Sequence, residues 1–208
     1  MKIFITSGNT WVKIDPVRVV TNIFTGETGL NIANYLCEKK EDIVLAGSNS
    51  SLFQLKGNPK IEYRLFQYFE DLDLIIKNTI TQYNPDVIIH AAAVSDYRPL
   101  TEHPTKIKSN SEEIDLGKWV PTKKLIRAMR QEYQFKGRLI QFKLETVEND
   151  EQLILLAQKS MQANQSDLCI ANRLNDMENV IAVSNDVSKK MKRVDLYPYL
   201  HKWIINRQ

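Results

Sequence analysis

Apolar residues in this chain fall in short unbroken runs, separated by stretches whose apolar positions repeat at helical spacing. Lys2-Ile3-Phe4-Ile5-Thr6, Ile43-Val44-Leu45-Ala46, Asp86-Val87-Ile88-Ile89-His90, Arg138-Leu139-Ile140-Gln141-Phe142 and Asp167-Leu168-Cys169-Ile170-Ala171 each read as a buried strand. Ile61-Glu62-Tyr63-Arg64-Leu65 alternates and predicts a further strand, and residues 180–184 predict an edge strand. Between these runs, residues 30–36 have helical periodicity. Residues 71–83 place Leu72, Leu74, Ile75, Ile76, Ile80 and Tyr83 mainly on one helical face before Pro85 stops the helix. Pro121 opens a predicted helix to about residue 133, and further helices are expected over 150–163 and 196–206. Strands alternating with helices of this length predict an α/β protein: a Rossmann-like, mainly parallel sheet with helices on both faces. No repeat, low-complexity tract or linker breaks residues 1–208, so one domain is expected.

Two stretches resist assignment: a polar, glycine-containing segment over 7–29, and a long irregular segment over 91–117 that carries the basic run Lys106-Ile107-Lys108. Loops of that length within a compact domain are usually functional or mobile. With 43% hydrophobic residues the chain can bury a sizeable core, and Lys plus Arg (28) nearly balance Asp plus Glu (25). That balance argues against a dedicated nucleic-acid or membrane-surface protein while leaving room for a local phosphate pocket. No apolar run reaches the length of a membrane span. Cys37 and Cys169 lie far apart with no CxxC or Cys/His cluster, so neither a disulfide framework nor a metal centre is expected and a cytoplasmic location is the default.

In an open parallel sheet, ligands bind beyond the carboxyl ends of the strands. Three such ends carry unusual residues. Thr6-Ser7-Gly8-Asn9-Thr10, with Thr21-Asn22 and Thr25-Gly26 farther on, offers small and hydroxylated residues beside a helix N-terminus, which suits phosphate; an ordinary capped strand–loop–helix connection is the equal alternative. His90-Ala91-Ala92-Ala93-Val94-Ser95-Asp96 lets a ligand approach the backbone, with Asp96 a candidate for magnesium or a ribose hydroxyl, or else a simple turn cap. His90 itself reads more readily as a satisfied buried histidine than as a base. Lys106 and Lys108 can close over a polyphosphate or form a solvated turn, and Phe142 can pack against a base or belong to the core. Neither a GxGxxG fingerprint nor a Walker lysine motif is present.

The order of Thr6 to Thr10, Ile14-Asp15-Pro16-Val17-Arg18, Thr21-Asn22 with Thr25-Gly26, Ala91 to Pro99, Lys106-Ile107-Lys108, Phe142-Lys143-Leu144-Glu145-Thr146 and Asp167 to Asn172 resembles that of phosphopantothenate–cysteine ligases, in their stand-alone form. The resemblance implies a two-step reaction. The carboxylate of 4′-phosphopantothenate is nucleotidylated by CTP or ATP with release of pyrophosphate, and the amine of L-cysteine then attacks the acyl carbon. It further implies Mg2+, a homodimer, and catalytic roles for Asn22 and Lys106. Nucleotide binding is implied for Gly8, Thr10, Thr25, Gly26, Ala92, Ala93, Asp96, Lys108, Lys123, Lys124, Leu125, Ile126 and Phe142, with Asp96 as the metal contact.

The chain departs from that pattern at Asn9, where a second glycine is usual, and at Ile23-Phe24, which replace a histidine and a hydroxyl. Asn164 stands where users of CTP often carry a lysine, which leaves the nucleotide open between CTP and ATP. Two other readings stand beside the ligase. One is a dinucleotide-binding oxidoreductase on a related scaffold, and the other a non-catalytic or substrate-altered binding protein derived from the ligase.

Overall fold

The computed structural model describes residues 1–108, 116–185 and 187–206. In chain order the main elements are β1 (Lys2–Ser7), β2 (Trp11–Lys13), β3 (Val19–Thr21), α1 (Glu27–Glu38), β4 (Asp42–Gly47), α2 (Ser50–Lys56), β5 (Glu62–Leu65), α3 (Phe69–Asn78), β6 (Val87–His90), β7 (Tyr97–Pro99), β8 (Trp119–Pro121), α4 (Leu125–Gln131), β9 (Arg138–Glu145), α5 (Asp150–Asn164), β10 (Leu168–Arg173), β11 (Asp176–Val183), β12 (Ser188–Lys192) and α6 (Leu196–Ile205). Eight strands form one sheet in the order β12-β11-β10-β9-β6-β1-β4-β5. From β5 to β10 every pairing is parallel, whereas β11 and β12 add antiparallel to one edge.

Period-two alternation assigns the strands' side chains to two faces. Ile3 and Ile5 of β1 pack with Leu30, Ile32, Ala33 and Leu36 of α1 and with Leu196, Leu200 and Ile204 of α6. Phe4, between them, faces the other layer with Leu72 and Ile76 of α3 and Leu125 and Met129 of α4. Farther along the sheet, Leu153, Ala157 and Met161 of α5 cover Cys169 and Ala171. The α/β sandwich expected from the apolar runs is therefore present, with helices on both faces.

Several local expectations are corrected. Pro121 does not open a helix: it ends β8, opposite Tyr97, where a residue without an N–H is tolerated, and α4 begins only at Leu125. Residues 180–184 are not an edge, because β11 is paired on both sides and β12 takes the outer position. The lysine-rich Ser188–Lys192 has no apolar alternation to announce it, and lysines are a usual guard on an exposed strand edge. The segment 7–29 contains the hairpin β2–β3, and 91–117 contributes β7; the three-residue strands β2, β3, β7 and β8 are too short to show a period. Residues 109–115 of the second segment lie outside the described residues. The helix expected over 71–83 is α-helical from Phe69 to Asn78 and widens into a π-turn over Thr79–Tyr83.

Helix α5 starts at a side-chain cap, Asn149 Oδ1 accepting from Gln152 N at 2.9 Å. Replacing Asn149 by Ala is expected to cost ~1 kcal/mol, measured as a lower urea midpoint with an unchanged denaturant slope. An unchanged midpoint would remove the cap from the folding energetics.

Candidate functional site

Strand β1 pairs with β4 on one side and β6 on the other, and the chain builds outward from it in opposite directions. The boundary between β1 and β6 is thus the switch point, where the loops leaving the two strands diverge and open a crevice. Gly8 leaves β1 with φ +91, and a Cβ there would lie 2.1 Å from Ser48 Oγ. Gly26, at φ +87, caps α1 against the same turn, where a Cβ would lie 2.7 Å from Gly8 N. Only glycine gives the turn both its backbone sign and its closeness. The helix is drawn onto the strand end by Ser7 Oγ, which donates to Gly26 O at 2.5 Å. Ala93 N donates to Gly8 O at 2.7 Å, which joins the loops after β1 and β6.

Two cavities open over these strand ends. One, of about 350 Å³, lies among Gly8, Phe24 to Gly29, Ala91 to Ala93, Phe142 to Leu144 and Asn172. The second, of about 490 Å³, lies among Ala92, Val94 to Asp96, Thr122 to Arg127, Gln141 to Leu144, Ser160 and Asn164. Ala92, Phe142, Lys143 and Leu144 line both, so the ends of β6 and β9 form the ridge between them. Each is in the size range of a small-molecule site. A further cavity of about 520 Å³ sits at the amino ends of the strands, around Met1, Asp86 and Arg138. The Arg138 guanidinium there is spent on the backbone carbonyls of Trp203 and Ile204 at the end of α6, so it closes a helix terminus.

The residues expected from the sequence divide between the two upper cavities. Gly8, Thr25, Gly26 and Ala93 line the first, Asp96, Lys123, Lys124, Leu125 and Ile126 the second, and Ala92 and Phe142 both. Thr10 is buried beneath them; its Oγ1 accepts from Ser95 N at 2.9 Å, so it braces the loop after β6. Asn22 lines neither cavity; it donates from Nδ2 at 3.0 Å to the carbonyl of Ala93, which lines the first. Lys106 and Lys108 are exposed and line neither cavity. The residue between them is anchored, however: Ile107 N donates to Asp15 Oδ2 and Ile107 O accepts from Arg18 Nη1, both at 3.1 Å.

Electrostatics separate a neutral floor from a charged rim. Burial alone would raise the Asp15 pKa, but the N–H groups of Ile107, Val17 and Arg18 and the Arg18 guanidinium outweigh it and hold the carboxyl at about 2. Lys123 is partly desolvated, yet Asp73, Tyr133 and Glu132 more than compensate and hold it protonated. Its ammonium, 2.6 Å from Asp73 Oδ2, belongs to this cluster beside the cavity. Lys124 is ion-paired with Asp96. His90 lies in the floor with Nδ1 2.7 Å from Thr6 Oγ1, and burial lowers its pKa to about 4. It is neutral at pH 7, as expected of a buried histidine. Burial likewise lifts the Cys169 thiol to about 12, so it supplies no thiolate nucleophile.

Among the described residues no group of three His, Cys, Asp or Glu side chains could hold a metal. A single exposed carboxylate at Asp96 suits Mg2+ only where substrate phosphates provide most of the ligands. Ser48 and Arg193 are among the residues that were not anticipated. Ser48 lines neither cavity but follows β4, beside β1, and hydrogen-bonds Asn9. Arg193 reaches the first cavity from beyond β12, and its buried Nη2 has no hydrogen-bond partner among the described residues; no local pattern marks it.

A family model described as the DNA/pantothenate metabolism flavoprotein C-terminal domain matches residues 1–199. The chain is 32% identical over 200 residues to the coenzyme A biosynthesis bifunctional protein CoaBC of Thermococcus kodakarensis, an alignment covering 93% of this chain and 47% of that protein. It therefore spans about half the length of that relative. The crystal structure of the DNA/pantothenate metabolism flavoprotein from Streptococcus pneumoniae is 28% identical, with a TM-score of 0.87 over 98% of both chains. The C-terminal domain of a CoaBC protein, at 24% identity and a TM-score of 0.78 over 97% of this chain and 92% of that one, shares the fold.

The depressed His90 pKa carries a stability signature. Below pH 6.5 the unfolded chain takes up a proton that the folded chain refuses until about pH 4, so stability falls as pH drops through that window. Wild type is expected to lose more stability between pH 7 and pH 4 than His90→Gln, by at most on the order of 3 kcal/mol, in urea titrations at each pH. Parallel pH profiles would mean that His90 is free to protonate in the fold.

Proposed function

This chain belongs to the DNA/pantothenate metabolism flavoprotein C-terminal domain family, and on that premise we propose that it joins 4′-phosphopantothenate to L-cysteine in coenzyme A biosynthesis. Its relatives' names carry the pathway. The observation that supports the chemistry is the pair of cavities divided by one ridge, with the Asn22 amide bonded to Ala93, a lining residue of the first. The residues expected to bind the nucleotide line both cavities, and the acid meets the nucleotide over Ala92 and Phe142 on the ridge between them.

The reaction has two steps. The carboxylate of 4′-phosphopantothenate forms a bond to the α-phosphorus of a nucleoside triphosphate, CTP or ATP, and pyrophosphate leaves. The cysteine amine then bonds to the acyl carbon, loses a proton, and displaces the nucleoside monophosphate. Nucleotidylation supplies the leaving group that a bare carboxylate lacks, and the protein contributes positioning and charge stabilisation. Asn22 donates one Nδ2 proton to Ala93 O and keeps the second for the acyl intermediate. Lys106, on a segment rooted at Asp15 and Arg18, closes on the triphosphate with Lys108 beside it. Asp96 would be the protein contact for Mg2+, which would offset charge on the triphosphate; Lys124, paired with Asp96, is placed to meet the same charge.

Dimerisation is part of this reading. The hairpins β2–β3 and β7–β8 carry exposed apolar side chains, among them Val17, Val20, Tyr97 and Leu100. Ile23, 90% exposed, continues the patch beside Asn22. Exposed apolar side chains on these two neighbouring ribbons suit a second copy of the chain. A cytoplasmic setting accords with two free cysteines, and no helix among the described residues is long and apolar enough to cross a membrane.

Incubation with 4′-phosphopantothenate, L-cysteine and Mg2+, supplying CTP and ATP separately, is expected to yield pyrophosphate and the coupled product, followed by mass spectrometry. Folded protein that makes no product with either nucleotide would leave the non-catalytic binding reading in its place. Asn22→Ala is expected to release pyrophosphate at close to the wild-type rate and to form product at least tenfold more slowly. Lys106→Ala is expected to slow pyrophosphate release itself, and if both variants slow the same step the division of roles is wrong.

A further inference from the structure

Asn22 lies in a connection with little packing of its own. It follows a hairpin of three-residue strands, and the next two side chains, Ile23 and Phe24, are 90% and 38% exposed. An isolated two-stranded ribbon is marginal in water, so the position of Asn22 depends on bonds to the sheet. Thr21 Oγ1 donates to Thr10 O at 3.0 Å, and Asn22 Nδ2 to Ala93 O at 3.0 Å. A further tie comes from Asn9, whose Nδ2 donates to the Asn22 carbonyl at 2.5 Å; the Thr21 hydroxyl is 3.4 Å from that carbonyl but closer to Thr10 O, and it has one proton to give.

Asn9 is itself oriented. Ser48 Oγ accepts from Asn9 N and donates to Asn9 Oδ1, both at 2.9 Å. A hydroxyl proton on Oδ1 leaves the amide nitrogen facing Asn22, so the amide's two ends are distinguished by their partners. Asn9 also forms a parallel bridge with Ala93, the residue whose carbonyl receives Asn22. The ends of β1, β4 and β6 thus converge on one side chain through Asn9, Ser48 and Ala93. Asn22 is held from both directions, by its backbone carbonyl through Asn9 and by its side chain through Ala93.

We propose that Asn9 is a positioning residue for Asn22: the Ser48–Asn9 pair fixes the Asn22 peptide so that the amide proton not given to Ala93 points to the acyl intermediate. The proposal rests on the ligase reading. It gives the asparagine in the glycine turn a purpose, because glycine there would have no side chain to reach the Asn22 carbonyl. Losing the tie frees the Asn22 peptide to rotate, which misplaces the donor without emptying either cavity. The effect therefore falls on acyl transfer to cysteine and spares nucleotidylation.

Asn9→Asp tests this with almost no change in shape. It keeps an acceptor for Ser48, removes the donor, and sets a carboxylate against the Asn22 carbonyl. Rapid-quench assays on the full chain are expected to show pyrophosphate release within about twofold of wild type and transfer to cysteine slowed about tenfold, with KM for the nucleotide unchanged. Ser48→Ala is expected to slow the same step by a smaller factor, and the double variant to be no slower than Asn9→Asp alone, as for residues acting through one contact. Hydrogen–deuterium exchange at residues 21–26 reads the tie without turnover and is expected to rise in Asn9→Asp. Unchanged exchange, or equal slowing of both half-reactions, overturns the positioning role. A wild-type protein that makes no product, with exchange still raised in Asn9→Asp, overturns the ligase reading and leaves the tie itself standing.

Discussion

The double pairing of β1, with β4 on one side and β6 on the other, is the constraint on which the rest of the structure depends. A strand enclosed on both edges and both faces has to end in a turn that fits between the loops of its neighbours. Gly8 makes that turn with a positive φ, Gly26 brings α1 onto it, and Ala93 returns a backbone hydrogen bond to it. Gly8 and Gly26 have to be glycine because both have positive φ and because a Cβ would run into Ser48 Oγ at the first and into the Gly8 backbone at the second. The crevice is what remains when three strand ends and one helix N-terminus are packed this tightly and their loops then diverge.

The site's electrostatics follow from the same layering. Groups beneath the strand ends are neutral: His90 cannot hold a proton at pH 7, and the Cys169 thiol cannot lose one. Lys123 and Lys124, which line the second cavity, are charged and paired, with Asp73 and Asp96, and Asp15 is paired with Arg18 outside both cavities. The exposed pair at Lys124 and Asp96 is worth little to the fold. Asp15 differs, because its carboxylate is 2% exposed and gathers backbone N–H groups from two segments. It ties the stretch bearing Lys106 and Lys108 to the turn of the β2–β3 hairpin, the hairpin that leads into Asn22.

The parallel sheet, the helices other than α2 and the strand-end segments that face the crevice were legible along the chain. A buried parallel strand is a run of apolar residues, as at Val87-Ile88-Ile89, and a covering helix repeats at its own period, as at Leu72 and Ile76; both are local signals. The strand ends were legible for a related reason: Gly8, Gly26 and the alanines after His90 are small wherever the backbone packs closely, and size can be read from a sequence. What escaped was short or paired at a distance. Three-residue strands show no period, β12 is a polar edge, and Pro121 marks a strand end as readily as a helix start.

Tertiary structure alone decided which of these residues meet. Ser48 and Asn9 are 39 positions apart, and Asn22 and Ala93 are 71. No local propensity relates them, since their contact is a consequence of strand order, and strand order depends on which faces are buried together. The sequence by itself determined an α/β sheet with ligand chemistry at its carboxyl edge, because burial and backbone sterics act on neighbouring residues. The alignment of Asn22, the split of the crevice by β6 and β9, and the reach of Arg193 came from packing across the sheet, which joins residues that the chain keeps far apart.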